Sequence, residues 1–397
     1  MTFPAAIFKK MHILMIEYSG KSGMYSYTDA LCDGLAKIGV DVTVLTSTAW
    51  PDGKRSYNVE RKFLEFTPNQ GRFTRLHWAA DRLSRSMTNI LRRNRFTLEN
   101  NFDVVHIQGA GLPLLDQFFL KPLVKKMPVV LTVHDCLSHY NHFVSKDSFM
   151  RKNLHIPDRL IVLFEKGKKW LSERWEINDD KIDVIPHGIM PVRNQTEKTE
   201  ARRKLDLPED RKIILFFGSI RPNKGLDVLL KSMQDVIRFN PYALLLVAGA
   251  LPRGESFESY SLLIEKFNLS ENIKTFIEFI PDEDVDLYFS TSDIVVLPYL
   301  QFESQSGVLF RAYAHKKPVI TSNSGAMGEI VYSDKTGEVA ESGNVKSLAS
   351  AINKVLKNLK NYQSSYTPDL ENKYDWERIG RQTLQSYEKA ISQKKKQ

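Results

Sequence analysis

Short apolar runs alternate with patterns of helical period along the whole chain. In the first half, the runs that predict strands span residues 12–18, 41–46, 103–108, 129–133, 159–163 and 182–186. The second half restarts the alternation with runs at 212–218, 243–249, 273–279, 293–298 and 318–322. Strands that alternate with helices favour parallel sheets with crossover helices. The pattern therefore predicts an α/β protein with two doubly wound domains.

A polar stretch over residues 188–204 separates the two halves, and we interpret it as a linker. We therefore expect one domain over residues 1–190 and a second over residues 191–373. Residues 374–397 have the pattern of an amphipathic helix and are expected to pack back on the first domain, with Ile379, Leu384 and Tyr387 on the inner face. Because ligands bind at the carboxyl ends of doubly wound strands, the site is expected in a cleft between the domains.

The composition, with 42% hydrophobic and 26% charged residues in a chain of 397, is that of an ordinary globular protein. Cys32 and Cys136 are too few for a disulfide framework, which favours a reducing, cytoplasmic location. No apolar run approaches the roughly 20 residues that cross a bilayer, so any membrane contact is expected to be peripheral. The net charge of +9 indicates an anionic partner without specifying it.

The segment 216–230 has the features of an anion-binding loop. A strand ends at Gly218, the loop carries Arg221 and Lys224, and Gly225 opens an apolar helix. Side-chain charge, free backbone amides and the helix dipole together favour an anion, and a diphosphate fits this description. The alternative is a solvated loop whose basic residues bind nothing.

A second candidate loop lies in the segment 298–331. Small residues at Ser306, Gly307 and Val308 precede a helix and can offer free amides to an anion. Glu303, just before them, would accept hydrogen bonds from hydroxyl groups. Its alternative role is that of a carboxylate stabilised by the helix dipole.

In the first half, Gly23 stands at a predicted helix start, where a ligand could approach the backbone closely. The G-x-G-x-x-G spacing is absent, which makes a nicotinamide or flavin enzyme improbable. His134 follows a predicted strand and would either contact a sugar hydroxyl, act in proton transfer, or serve as a structural histidine. No HExxH or similar pattern indicates a catalytic metal.

Taken in order, these segments resemble the family-4 retaining glycosyltransferases, which have the two-Rossmann-domain glycosyltransferase B architecture. The resemblance covers nearly the whole chain. Its motifs are Ser22-Gly23, TVHD at 132–135, KIDVIPHGI at 181–189, FFGSIRPNKGLDVLL at 216–230, YFSTSDIVVLPY at 288–299, the Glu303 loop and YDWERI at 374–379. Each motif is weak alone, but the ordered set is specific.

The resemblance implies a role for each candidate residue. Arg221 and Lys224 would hold the donor diphosphate from one side, and the amides of Gly307 and Val308 from the other. Glu303 matches the first acid of the family's E-x7-E motif and would contact donor sugar hydroxyls. The remaining positions implied near the donor are Gly23 by the phosphates, His134 by the sugar, and Gly218, Ile280, Ser306 and Arg311.

The chain departs from the family pattern at two positions. Arg311 stands where the second acid, usually a ribose ligand, is expected, and Ser219 stands where an arginine is common, with Arg221 expected to serve instead. The implied reaction is transfer of a sugar, with retention, from a UDP- or GDP-linked donor to a glycan or lipid-linked acceptor. It would need no metal and no other cofactor, and would serve surface polysaccharide or glycoconjugate synthesis.

The basic residues cluster in one part of the chain. Residues 51–100 hold 11 Lys and Arg against five acids. Within them, 72–96 predicts a helix with Leu76, Ala80, Leu83, Met87 and Leu91 on one face, and with Arg75, Arg82, Arg85, Arg92 and Arg93 elsewhere beside Trp78. Such a helix would lie on an anionic membrane surface, or be a domain helix with a solvated basic face.

Three other functions stay open. A nucleotide-sugar 2-epimerase shares the architecture, and a nucleotide-sugar-binding protein without activity is conceivable because of Arg311. Nucleic-acid binding is disfavoured, because no segment pairs basic residues with stacking aromatics in a recognisable module.

Overall fold

The computed structural model describes residues 10–66, 75–109, 113–134, 151–300 and 305–396. The chain divides into two compact units. The first unit comprises Met1–Gly188 together with Tyr374–Gln397, and the second comprises Ile189–Lys373.

The first unit is built on a seven-stranded parallel sheet of order β3-β2-β1-β4-β5-β6-β7. Its central strands are buried on both faces, which is why they read as unbroken apolar runs. The strands are β1 (His12–Ile16), β2 (Asp41–Ser47), β3 (Asn58–Phe63), β4 (Val104–Gln108), β5 (Val129–Val133), β6 (Arg159–Val162) and β7 (Ile182–Val184). The helices are α1 (Ser22–Lys37), α2 (Arg75–Glu99), α3 (Pro113–Lys126), α4 (Glu165–Trp175) and α14 (Trp376–Lys395).

The second unit repeats this architecture with a six-stranded parallel sheet of order β10-β9-β8-β11-β12-β13. Its strands are β8 (Lys212–Phe217), β9 (Ala243–Ala248), β10 (Ile273–Phe276), β11 (Ile294–Leu297), β12 (Val319–Ser322) and β13 (Gly337–Ala340). The helices are α5 (Lys198–Lys204), α6 (Leu226–Phe239), α7 (Glu258–Lys266), α8 (Val285–Thr291), α9 (Gly307–Ala314), α10 (Met327–Asp334), α11 (Val345–Lys357), α12 (Leu359–Gln363) and α13 (Pro368–Lys373).

The strand order reverses once in each sheet. The reversal lies between β1 and β4 in the first unit, and between β8 and β11 in the second. Loops that leave the carboxyl ends of the two strands at such a reversal diverge, and the crevice between them is where doubly wound sheets bind ligands. In the second unit these loops are the two that the sequence singles out, 218–225 and 298–306.

Every predicted strand is present, but two edge strands were missed. β3 and β13 each lie at one edge of a sheet, and most of their residues are partly exposed. An edge strand with solvent on one side carries polar residues and lacks the apolar run that marks a central strand. The predicted linker is also too long, because Lys198–Lys204 forms α5, where buried Arg202 pairs with Asp293 at 2.9 Å.

Helix α14 belongs to the first unit and packs on α1. Asp375 caps its first turn by accepting hydrogen bonds from the amides of Glu377 and Arg378. Ile379 and Tyr387 are buried, and Leu384 is half-buried. None of the helices in the described part of the chain combines the length and the apolar character that a membrane span requires.

The approach of α14 to α1 requires a glycine at Gly34. A Cβ added there would lie 2.4 Å from the carbonyl oxygen of Trp376, so Gly34→Ala should cost about 2 kcal/mol, as overpacking commonly does. Gly23→Ala, on the same helix with nothing within 4 Å of the added atom, is the matched control. Urea unfolding of both variants tests this, and equal midpoints would contradict the close packing.

Candidate functional site

The two loops at the strand reversal of the second unit are joined by backbone contacts. Gly225 has a φ of +69°, and a Cβ at this position would lie only 2.0 Å from the carbonyl oxygen of Pro298. The amide of Leu300 donates a hydrogen bond to the carbonyl of Asn223 at 2.9 Å. The loop after β8 and the loop after β11 therefore have a fixed position relative to each other.

Because the two loops meet, a lysine of the first loop lies against an aromatic ring of the second. The ammonium of Lys224 lies 3.6 Å from the ring centroid of Tyr299, a cation–π contact. The Tyr299 hydroxyl lies 3.1 Å from Oγ of Ser306. Tyr299 was missed as a site residue, although its position directly after a strand end was the available signal. Lys224, Tyr299 and Ser306 thus form one continuous group.

The N-terminus of α9 adjoins this group. Ser306 precedes the helix with extended backbone, and its side chain does not cap the helix amides. The first amides of α9, those of Gly307 and Val308, are the kind of group that binds an anion at a helix start. A side-chain methyl of Val308 lies 3.7 Å from where a Cβ of Gly218 would be, so the end of β8 reaches the same place.

The other residues predicted for the donor site lie in varied surroundings. Arg221 is exposed and donates from Nε to Oγ of Ser219 at 3.1 Å. Ile280 is buried. Glu303 lies outside the described residues. No three His, Cys, Asp or Glu side chains come together as metal ligands would in the described ranges.

Arg311 is buried and faces a carboxylate. Its Nη1 lies 3.4 Å from Oδ1 of Asp286. Burial opposes ionisation of Asp286, but hydrogen bonds from His315 and from the amides of Asn194 and Arg193 lower its pKa on balance, with help from the charge of Arg311. Burial in turn lowers the pKa of Arg311. The arginine at the position of the expected acid is thus one member of a buried ionic cluster.

In the first unit, the residues predicted by sequence lie near the carboxyl edge of the sheet. Gly23 is in the first turn of α1, with open space where a side chain would be. His134 follows β5, is half-buried, and lies 2.9 Å from Oε1 of Gln108 through its Nε2. Burial and the neighbouring His187 lower the pKa of His134 to about 3. Its ring is therefore neutral near pH 7.

A cavity of about 280 Å³ opens at the strand reversal of the first unit. Its lining combines polar and apolar side chains and includes a buried carboxylate and a cation. Its lining residues include Glu17, Ser19, Arg82, Ser86, Asn89 and Gln108. Sequence reasoning did not single out this cavity, because its residues come from β1, β4 and α2, which lie far apart along the chain.

Two Rossmann-like units, one with a cation and a helix N-terminus at its strand reversal, define a class of α/β protein with a ligand crevice at that reversal. The sequence model described as "Glycosyltransferase Family 4" matches residues 21–193, and the one described as "Glycosyl transferases group 1" matches residues 197–367. Together they cover most of the chain. The chain belongs to the family-4 glycosyltransferases of the glycosyltransferase B fold.

Curated relatives share about a quarter of the aligned residues. An uncharacterized glycosyltransferase of Methanocaldococcus jannaschii is 25% identical over 67% of this chain and 70% of its own length. The GPI3 subunit of phosphatidylinositol N-acetylglucosaminyltransferase from Saccharomyces cerevisiae is 24% identical over 73% of this chain, but only 64% of its own length. Phosphatidyl-myo-inositol mannosyltransferase of Mycobacterium leprae is 24% identical over 75% of this chain and 76% of its own length.

Solved structures show the same fold at lower identity. Sucrose-phosphate synthase of Thermosynechococcus elongatus aligns with a TM-score of 0.75 and 19% identity, covering 97% of this chain and 100% of its own. HepE of Anabaena, solved in complex with UDP, aligns with a TM-score of 0.68 and 16% identity, covering 95% of this chain and 99% of its own.

The buried ionic cluster of Arg311, Asp286 and His315 predicts that Arg311 stabilises the fold. Arg311→Met should lower the free energy of unfolding by about 3 kcal/mol, because it leaves a buried carboxylate without its cation. Asp286 has a lowered pKa, so the loss should be full at neutral pH. It should shrink only as the pH falls from the ordinary aspartate value of about 4 through the lower folded-state pKa, where the native carboxyl becomes protonated.

Urea unfolding at several pH values measures this effect. Lys204→Met, which removes the cation of an exposed pair with Glu200, is the control and should change stability little. An Arg311→Met protein of unchanged stability that binds donor nucleotide poorly would instead assign Arg311 to the donor site.

Proposed function

We propose that this chain transfers a sugar, with retention, from a nucleoside diphosphate sugar to a glycan or lipid-linked acceptor. The observation that carries the proposal is the group formed by Lys224, Tyr299 and Ser306 beside the N-terminus of α9. It combines a fixed cation with helix amides at a strand reversal, which is an arrangement suited to a diphosphate. A UDP- or GDP-linked donor fits this group.

The donor-site residues would act mainly through electrostatics. Lys224 and Arg221 would stabilise the negative charge that develops on the leaving diphosphate, and the amides of Gly307 and Val308 would bind its oxygens. Glu303 would accept hydrogen bonds from sugar hydroxyls. A diphosphate oxygen would take the acceptor's proton, so the reaction needs neither a protein nucleophile nor a metal ion. The HepE structures with UDP and with UDP-glucose support a nucleotide-sugar donor for this fold.

The cavity of the first unit is suited to a polyhydroxylated acceptor. The carboxylate of Glu17 accepts hydrogen bonds from the amide and hydroxyl of Ser19 and from the amide of Gly20. Ser86 and Asn89 line the same space, and Arg82 brings a positive charge. We propose that acceptor hydroxyls bind here, with an anionic group of the acceptor near Arg82.

The donor proposal predicts a large effect of Lys224. Lys224→Ala should lower kcat about 10²-fold to 10³-fold, the usual cost of removing one group that stabilises transition-state charge. The matched control is Lys231→Ala, which removes a partly exposed lysine paired with Asp227 in the following helix. Transfer from UDP- and GDP-sugars to lipid-linked and free glycan acceptors measures the effect.

Incubation with the donor alone separates the other functions. A free epimerised sugar product would identify an epimerase, and tight donor binding without turnover on any acceptor would identify an inactive binding protein. A wild-type transfer rate in Lys224→Ala would contradict the proposed role of Lys224 in the donor site.

Helix α2 supports a peripheral membrane contact. Leu83, Leu91 and Leu98 are spaced about two turns apart and are 52%, 50% and 47% exposed. Arg92 and Arg95 are exposed nearby. Leu83 and Leu91 of the predicted apolar stripe therefore face outward, and the buried side is formed mainly by Ser86, Asn89, Ile90, Arg93 and Thr97.

The prediction that Arg93 belongs to the exposed basic face of α2 is wrong, because Arg93 is buried. Arg93 is fully buried and donates to Asp116 at 2.7 Å and to the Tyr18 hydroxyl at 2.8 Å. It is therefore not available to a membrane. Apolar side chains flanked by the remaining arginines are typical of a helix that lies in the headgroup region of an anionic bilayer. We propose that α2 brings the enzyme to its lipid-linked acceptor in this way.

The membrane proposal predicts that the exposed leucines of α2 contribute to vesicle binding. The double variant Leu83→Ser with Leu91→Ser should bind vesicles containing phosphatidylglycerol at least tenfold more weakly, because two exposed apolar side chains no longer enter the bilayer. Leu262→Ser, in the second unit and 60% exposed, should bind as wild type does. Equal sedimentation of all three proteins with the vesicles would contradict this orientation of α2.

A further inference from the structure

A chain of hydrogen bonds runs beneath His134 into the core of the first unit. Nε2 of His134 lies 2.9 Å from Oε1 of Gln108, and Nε2 of Gln108 lies 3.3 Å from Nε2 of His106. His106 also contacts Oγ1 of Thr132 and the hydroxyl of Tyr387, each at 2.7 Å. Gln108, His106, Thr132 and Tyr387 are all buried. The chain thus connects the carboxyl edge of the sheet with α14.

The surroundings of Gln108 determine which way its amide points. The thioether of Met15 lies 3.1 Å from Nε2 of Gln108, and a thioether sulfur can only accept a hydrogen bond. The NH₂ group, which has two donors, therefore faces Met15 and His106. The carbonyl oxygen is left to face His134.

This orientation determines the proton positions on both histidines. The carbonyl oxygen of Gln108 can only accept, so His134 carries its proton on Nε2. Burial, together with the neighbouring His134, lowers the pKa of His106 to about 3, so that ring is also neutral. The single lone pair on Nε2 of His106 is shared by two donors, the Thr132 hydroxyl at 2.7 Å and the Gln108 amide at 3.3 Å, and its Nδ1 donates to Tyr387. Each ring then has one proton, and every bond in the chain has a donor and an acceptor.

A second contact limits rotation of the His134 ring. The ring of Tyr27, from α1, meets it edge-on, with 4.7 Å between the centroids and an angle of 90°. Tyr27 also contacts the rings of His187 and Trp376, so it is itself held in place. Tyr27 thus limits the orientation of the His134 ring, and the hydrogen bond to Gln108 determines its tautomer, that is, which ring nitrogen carries the proton and which has a lone pair.

We propose that Gln108 is a positioning residue that holds His134 in the Nε2–H tautomer, so that Nδ1 presents a lone pair to a hydroxyl of the sugar being transferred. The inference rests on the proposed function and on the place beside the transferred sugar that the family resemblance implies for His134. In this state the imidazole accepts a hydrogen bond and does not supply a proton. The transferred sugar must therefore have a free hydroxyl at the position that His134 contacts, and a deoxy or O-methyl sugar at that position is a poor donor.

Gln108→Met tests the proposal, since methionine has a similar length and no hydrogen-bonding amide. In wild-type protein labelled with ¹⁵N-histidine, we expect NMR to show His134 as a single Nε2–H tautomer between pH 6 and 8. In Gln108→Met we expect a mixture of tautomers, together with a kcat lower by about tenfold, the equivalent of one hydrogen bond. Gln108→Glu, whose carboxylate can still accept from Nε2, should restore the single tautomer.

Thr132→Val is the matched control. It removes another buried bond to His106 in the same chain while leaving the Gln108 contact to His134 intact, so both the tautomer and kcat should stay close to wild type. An unchanged tautomer in Gln108→Met, or a wild-type His134 protonated on Nδ1, would overturn the proposal, as would a changed tautomer with undiminished kcat. The tautomer measurement needs no substrate, so it decides the role of Gln108 even if the proposed transfer reaction is not found.

Discussion

The contact of Gly225 with the Pro298 carbonyl is the constraint on which the candidate donor site depends. The two backbones approach so closely that any side chain at Gly225 would overlap the carbonyl oxygen, and the positive φ also favours glycine. Because of this contact, the loop after β8 and the loop after β11 meet, and Lys224 lies on the ring of Tyr299.

The first unit depends on a different kind of interaction, a set of buried polar groups with matched partners. His106, Gln108 and Thr132 lie within the sheet, where an unpaired polar group would cost about 1–3 kcal/mol. Their hydrogen bonds to one another and to Tyr387 offset that cost and tie α14 to the sheet. Nη1 of the buried Arg93 is likewise held by Asp116 and Tyr18. Through these groups Tyr387 restricts the position of the C-terminal helix, and Gln108 restricts the orientation of His134.

The α/β class and the central strands could be read from the chain, because strands buried on both faces need continuous apolar runs. The edge strands β3 and β13 could not, since solvent on one side permits sequences such as NVERKF and GEVA. The loops containing Lys224 and Ser306 were identifiable from their charge and small residues at strand ends. Tyr299, directly after a strand end, carried the same positional signal but was missed. Gln108 was not identifiable, because its partners across the sheet do not show in its neighbours along the chain.

Helix α2 and Arg311 show which properties follow from the local sequence and which depend on tertiary contacts. The spacing of leucines and arginines established that α2 is amphipathic, since periodicity is a property of consecutive residues. The pattern did not show that the leucines face outward or that Arg93 faces inward, because that depends on Asp116 and Tyr18 lying behind the helix. Likewise, the sequence placed an arginine where an acid was expected, and its partner Asp286 came from another helix. Local sequence specifies helices, strands and turn-forming glycines through short-range physics, whereas pairing of charges and orientation of faces follow from contacts between distant segments.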